Sequence, residues 1–113
     1  MAERSLELLK GTLDVLILKT LSTAPLHGYG VSRWIREATG HDFQVEEGAL
    51  YPALRRLEKK GLVESEWGRT DTGREAKFYR ITDAGRRALE SELRTWARYV
   101  RAMDRVLGAS AEG

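Results

Sequence analysis

Ten residues of this chain hold four cations and a tyrosine: Tyr51, Arg55, Arg56, Lys59 and Lys60. An arginine presents a planar fork that can read a guanine edge through two hydrogen bonds, whereas lysine and tyrosine suit phosphate oxygens. A second cationic group follows at Arg69, Arg74, Lys77 and Arg80. Material for other chemistry is scarce. There is no Cys, which excludes a disulfide framework, a thiolate zinc site and a Cys nucleophile. His27 and His41 stand 14 residues apart with no acidic cluster beside them, so no metal site is expected. No Ser, His and acid share a supporting motif such as G-x-S-x-G. The sequence therefore argues against an enzyme and implies no cofactor.

With 113 residues, 42% apolar and 32% charged, the chain is expected to form one soluble globular domain plus an extra helix. Its net charge of +2 is too small to argue for nucleic acid by itself, but its distribution says more. Residues 1–47 carry 5 basic and 7 acidic side chains, residues 48–113 carry 14 and 10. The positive charge lies with the two cationic groups, a pointer to an anionic partner. No apolar run approaches the roughly 20 residues of a membrane span, and Met1-Ala2-Glu3-Arg4 lacks the start of a signal peptide. A cytoplasmic protein with no membrane partner is the expectation.

The elements that must hold these cations can be read from periodicity. Leu6, Leu9, Leu13, Leu16 and Ile17 recur at helical spacing, and Leu8, Val15 and Leu18 add apolar groups on other sides. That is more apolar surface than one core contact uses, so this helix is expected in a subunit interface as well. Ser22-Thr23-Ala24-Pro25 breaks it. His27-Gly28-Tyr29-Gly30 opens a second helix whose stripe is Val31, Trp34, Ile35 and Ala38, ending near Gly40. His27 is expected to cap or pack there. Residues 42–45 allow at most a very short strand or an extended linker. A third helix spans roughly Glu47–Lys60, with Leu50, Ala53, Leu54 and Leu57 inward and Pro52 near its start. The five residues that opened this section lie off that stripe.

The period then changes. Residues 62–67 and 77–81 alternate like strands, and the Gly- and Thr-bearing residues 68–75 between them predict a long hairpin loop. Thr82 suits the N-cap of a final helix. There Leu89, Leu93, Trp96, Val100, Met103 and Leu107 step by 4, 3, 4, 3, 4, an a/d seam of nearly three heptads and hence an expected dimer interface.

Helix, helix, helix, hairpin, helix is the order of a winged helix-turn-helix: an α+β fold, mostly α, with a long C-terminal dimerisation helix. In such domains the third helix enters the major groove and the hairpin reaches backbone or minor groove. The expected organisation is a DNA-binding unit over 1–82, a dimerisation helix over 83–107 and a flexible tail over 108–113. The alternative is a winged-helix protein-interaction module that never touches DNA. Such a module would more often show apolar residues where this chain has Arg and Lys.

Three segments, LHGYGVSRWI (26–35), EGALYPALRRLEKKGL (47–62) and KFYRITDAG (77–85), resemble the signatures of PadR-like transcriptional regulators. The likeness runs from about Leu6 to Leu107 and fits the short form with a single C-terminal helix. It implies a homodimeric DNA-binding repressor on a pseudo-palindromic operator, sometimes responsive to aromatic effectors. By motif position, Tyr51, Arg55, Arg56 and Lys59 would be recognition-helix contacts, and Arg74 and Lys77 wing contacts. Trp96 reads as a seam residue. The resemblance adds a second role, as an aromatic wall of an effector pocket between subunits. Glu46 and Glu47 stand where many members carry Ser or Thr; carboxylates suit a helix N-terminus but repel a phosphate there.

Overall fold

The computed structural model describes residues 11–108. The expected helical positions Leu6, Leu8 and Leu9, and the tail beyond Gly108, lie outside the described residues. Helix α1 runs over Thr12–Leu21 and buries Ile17, Leu18, Thr20 and Leu21. The buried Thr20 hydroxyl donates to the Leu16 carbonyl at 2.8 Å, so no polar group is left unpaired in the core. After Pro25 comes a two-residue strand, β1 (Leu26–His27), and then α2 (Gly28–Ala38). His27 is the N-cap of α2, its Nδ1 accepting from the Gly30 N–H at 3.1 Å. Residues 42–45 form no strand; the linker is held where Ser32 Oγ donates to the Val45 carbonyl at 3.1 Å.

Helix α3 spans Glu47–Lys59 and buries Leu50, Ala53, Leu54 and Leu57, the stripe its periodicity predicts. Pro52 sits in the second turn, deeper than proline is best tolerated, and removes the donor that the Gly48 carbonyl would otherwise meet. Glu46 is the N-cap but makes no side-chain capping bond. Helices α2 and α3 approach closely at one glycine. A Cβ on Gly28 would lie 2.6 Å from the Tyr51 hydroxyl.

Strands β2 (Val63–Arg69) and β3 (Glu75–Ile81) form the hairpin, in a three-stranded antiparallel sheet of order β1-β3-β2. Val63 pairs with Ile81, Ser65 with Tyr79, Trp67 with Lys77 and Arg69 with Glu75. The strands are longer than alternation alone indicated, and the loop shrinks to residues 70–74. It is closed by Gly73 N–H to Thr70 O at 2.9 Å and Thr70 N–H to Arg74 O at 2.8 Å. Thr82 caps α4 (Asp83–Leu107), its hydroxyl accepting from the Gly85 N–H at 3.0 Å.

The core is one cluster drawn from α1, α2, α3, the hairpin base and the start of α4. Helix α4 enters it at Gly85, where a Cβ would collide with the Leu62 carbonyl, and at Leu89, 6% exposed. This corrects one reading of the seam. Leu89 has its partners within its own domain, because α4 packs its first turns against α1 before leaving the body of the fold. From residue 90 to 107 every position of α4 is exposed. Among the described residues no helix is long and apolar enough to cross a membrane.

Candidate nucleic-acid interface

Because the inner stripe of α3 is fixed by Leu50, Ala53, Leu54 and Leu57, its other side chains have set directions. At 100° per residue, Pro52, Arg55 and Lys59 point most nearly opposite to that stripe. Arg55 and Lys59 are exposed and make no hydrogen bond or ion pair with other described residues. They are free to meet an outside anion. Arg56 points to a different side. Its Nη2 lies 3.0 Å from Asp14 Oδ1 on α1, so it begins with a protein partner. Tyr51 leans over Gly28 against the core and is half-buried. It is a wall between α2 and α3 more than a free phosphate donor. Lys60 follows the helix as its C-cap.

The hairpin joins α3 through Glu58. That carboxylate accepts from Ser65 Oγ at 2.6 Å and lies 3.9 Å from Lys77 Nζ. Lys77 also sits 5.9 Å above the Tyr79 ring centre. Burial first, and then the charge of Glu58, push the Tyr79 phenol above its usual pKa. Tyr79 therefore stays neutral and serves packing. Arg74, in the turn, is exposed. Of the other wing cations, Arg80 is paired with Glu64 at 2.7 Å and Arg69 donates to the Gly73 carbonyl at 3.0 Å.

Between the wing, the start of α2 and the start of α3 lies an open groove of about 840 Å³. Tyr29, Arg33, Trp34, Tyr51, Arg74 and Lys77 are among its walls. Tyr29 and Arg33 were not singled out from the sequence, because their stripe reads as the ordinary solvent side of an amphipathic helix. His27 stacks on Tyr29 and meets Phe78 edge-on at 5.3 Å, so its ring is used in packing and capping. Among the described residues no group of three His, Cys, Asp or Glu is placed to hold a metal ion.

The seam side chains beyond Leu89 stand on α4 without cover. Leu93, Trp96, Val100, Met103 and Leu107 are all exposed. Tyr99 and Val106 extend this apolar surface; they fall outside the strict a/d count. Trp96, 46% exposed, stacks on Tyr99 with ring centres 5.8 Å apart.

Known proteins share this arrangement. A solved transcriptional regulator from Clostridium thermocellum is 30% identical, with a TM-score of 0.78, over 85% of this chain and 93% of that one. A PadR family transcription regulator from Clostridium difficile is 29% identical with a TM-score of 0.76, covering 86% and 99%. The negative transcriptional regulator PadR of Bacillus subtilis is 29% identical over 77 residues, 68% of this chain and 42% of that protein. The transcriptional regulator PadR-like family matches residues 17–91, from α1 into the first turns of α4. That family consists of transcriptional regulators and not of enzymes, and the match takes in more than half of the sequence: the chain belongs to the PadR-like family of transcriptional regulators.

Proposed function

We propose that this regulator binds double-stranded DNA as a homodimer, acts as a repressor, and leaves its operator when a small aromatic compound binds. The observation that carries the DNA reading is the unpartnered outward pair Arg55 and Lys59 on α3, beside the wing cations Arg74 and Lys77. In this reading α3 enters the major groove, Arg55 reads base edges and Lys59 meets phosphate. The wing cations meet the backbone. Arg56 contributes after exchanging Asp14 for DNA, and Tyr51 shapes the groove wall.

The exposed apolar stripe of α4 supports the dimer, because a face of this kind is normally covered by a partner. Residues 1–82 then bind DNA and 83–107 dimerise. Two recognition helices related by a two-fold axis call for a pseudo-palindromic site. The stacked pair Trp96 and Tyr99 supports the effector site, since flat aromatic walls beside Met103 and Leu93 suit a planar apolar ligand. The name of the Bacillus subtilis relative supports the repressor role. The test is selection of bound sequences from random duplexes, followed by affinity measurements at two salt concentrations. Recovery of a two-fold motif with salt-dependent affinity is expected. Recovery of no motif together with salt-independent binding refutes the DNA reading.

A further inference from the structure

Trp67 is 69% exposed on the wing, a large apolar plate for which the seam and the recognition helix give no account. Its direction follows from the register. Successive side chains of a strand alternate between faces. Val63, Ser65, Trp67 and Arg69 share one face of β2, and Ile81, Tyr79, Lys77 and Glu75 stand opposite them on β3. At the base this face is the buried one, with Val63 and Ile81 in the core. One step further out it meets α3, where Ser65 Oγ binds Glu58. Another step of two residues, about 6.7 Å, brings Trp67 beside Lys77 and past the end of the contact with α3. The opposite face carries Glu64 and Glu66, so the strand carboxylates of β2 point away from Trp67.

The surface around the indole is thus an apolar plate edged by Lys77 and Arg69, continuous with the side of α3 that presents Arg55 and Lys59. Its occupant should be anionic, should offer flat apolar patches between its charges, and should flank whatever α3 reads. A deoxyribose–phosphate strand has these properties. The indole face can lie on sugar carbons while its N–H, a donor only, can meet a phosphate oxygen. We infer that Trp67 is a DNA-backbone contact that seats the wing against the sugar–phosphate strand bordering the groove entered by α3. This rests on the DNA reading proposed above and adds a neutral, sequence-independent contact to its cations.

The distinguishing property is that an uncharged contact releases no counterion. Trp67→Ala should lower affinity about five- to fiftyfold, the scale of aromatic stacking on nucleic acid, for operator and unrelated duplex alike. The slope of log affinity against log salt should not change, whereas Lys77→Ala should flatten it by about 0.9. Trp67→Phe should fall between wild type and Trp67→Ala. The change in tryptophan emission on adding duplex should be present in wild type and missing in Trp67→Phe. Unimpaired binding by Trp67→Ala overturns the inference, as does a loss confined to the operator or accompanied by a flatter salt slope. An emission change that follows protein concentration instead of DNA also overturns it and assigns Trp67 to a protein contact. If wild type binds no duplex at all, the DNA reading fails with it; if wild type binds while Trp67→Ala is unimpaired, this inference fails alone.

Discussion

Leu93→Asp separates folding from assembly, because residue 93 lies just beyond the last side chain that α4 contributes to its own core. Burying a leucine fully is worth about 2 kcal/mol. Leu93 is 42% exposed in one protomer, so pairing covers what remains for roughly 1 kcal/mol per copy. A two-fold dimer loses that term twice. Each Asp also brings a carboxylate into an apolar seam, and an uncompensated buried charge costs about 3–5 kcal/mol. Together the terms exceed about 5 kcal/mol, which raises the dissociation constant of the dimer by about 10³-fold or more. Sedimentation velocity from nanomolar to high micromolar should show a dimer for wild type and a monomer for the variant. Circular dichroism should show that the variant keeps a cooperative unfolding transition. Leu89→Asp, placed in the core, should instead abolish the folded state. A wild type that sediments as a compact monomer at micromolar concentration would refute the reasoning, and so would a Leu93→Asp protein that stays dimeric.

Four further outcomes are expected. Arg55→Ala should cost about 1–3 kcal/mol on the operator and relax its specificity; Arg56→Ala should cost less, since DNA must first displace Asp14, and competition binding on single-base operator variants distinguishes them. Arg74→Ala should weaken binding to every duplex and flatten the salt slope by about one unit, measured by fluorescence anisotropy at several salt concentrations. Gly85→Ala should destabilise the fold by about 1–3 kcal/mol, because its methyl meets the Leu62 carbonyl; thermal unfolding reads the shift. Planar aromatic compounds should quench Trp96 emission in a Trp34→Phe, Trp67→Phe protein and release operator together; saturation without either change would leave Trp96 as a seam residue only.

The parts of this structure that were legible in the sequence are those decided locally. The stripe of α3 follows from the spacing of Leu50, Ala53, Leu54 and Leu57. The start of α4 follows from a hydroxyl at Thr82 three residues before the Gly85 amide it caps. What escaped was decided by residues distant in sequence. Leu89 and Leu93 obey one heptad, yet the first packs on its own domain and the second does not; the period is the same for both. Arg56 and Arg55 are neighbours of one type, and only Asp14, 42 residues away, distinguishes them. Tyr51 reads as a surface phenol until Gly28 opens a place for its ring. Strand β1 is two residues long, too short to show alternation, and exists because β3 supplies its partner.

A single residue, Thr82, separates β3 from α4, and it is fastened from three directions. Its N–H donates to the Leu62 carbonyl at 3.1 Å, its hydroxyl donates to the Gly61 carbonyl at 2.7 Å, and the same oxygen receives the Gly85 N–H. A joint with so little slack turns angle into distance. Twenty-five residues of helix extend about 37 Å, so a 10° tilt at Thr82 displaces the far end by about 6 Å. In the opposite sense, a few ångströms of slip between two such rods rotates each wing and recognition helix as one body. Operator spacing is therefore geared to how the distal turns of α4 sit together, although no side chain of those turns comes near DNA.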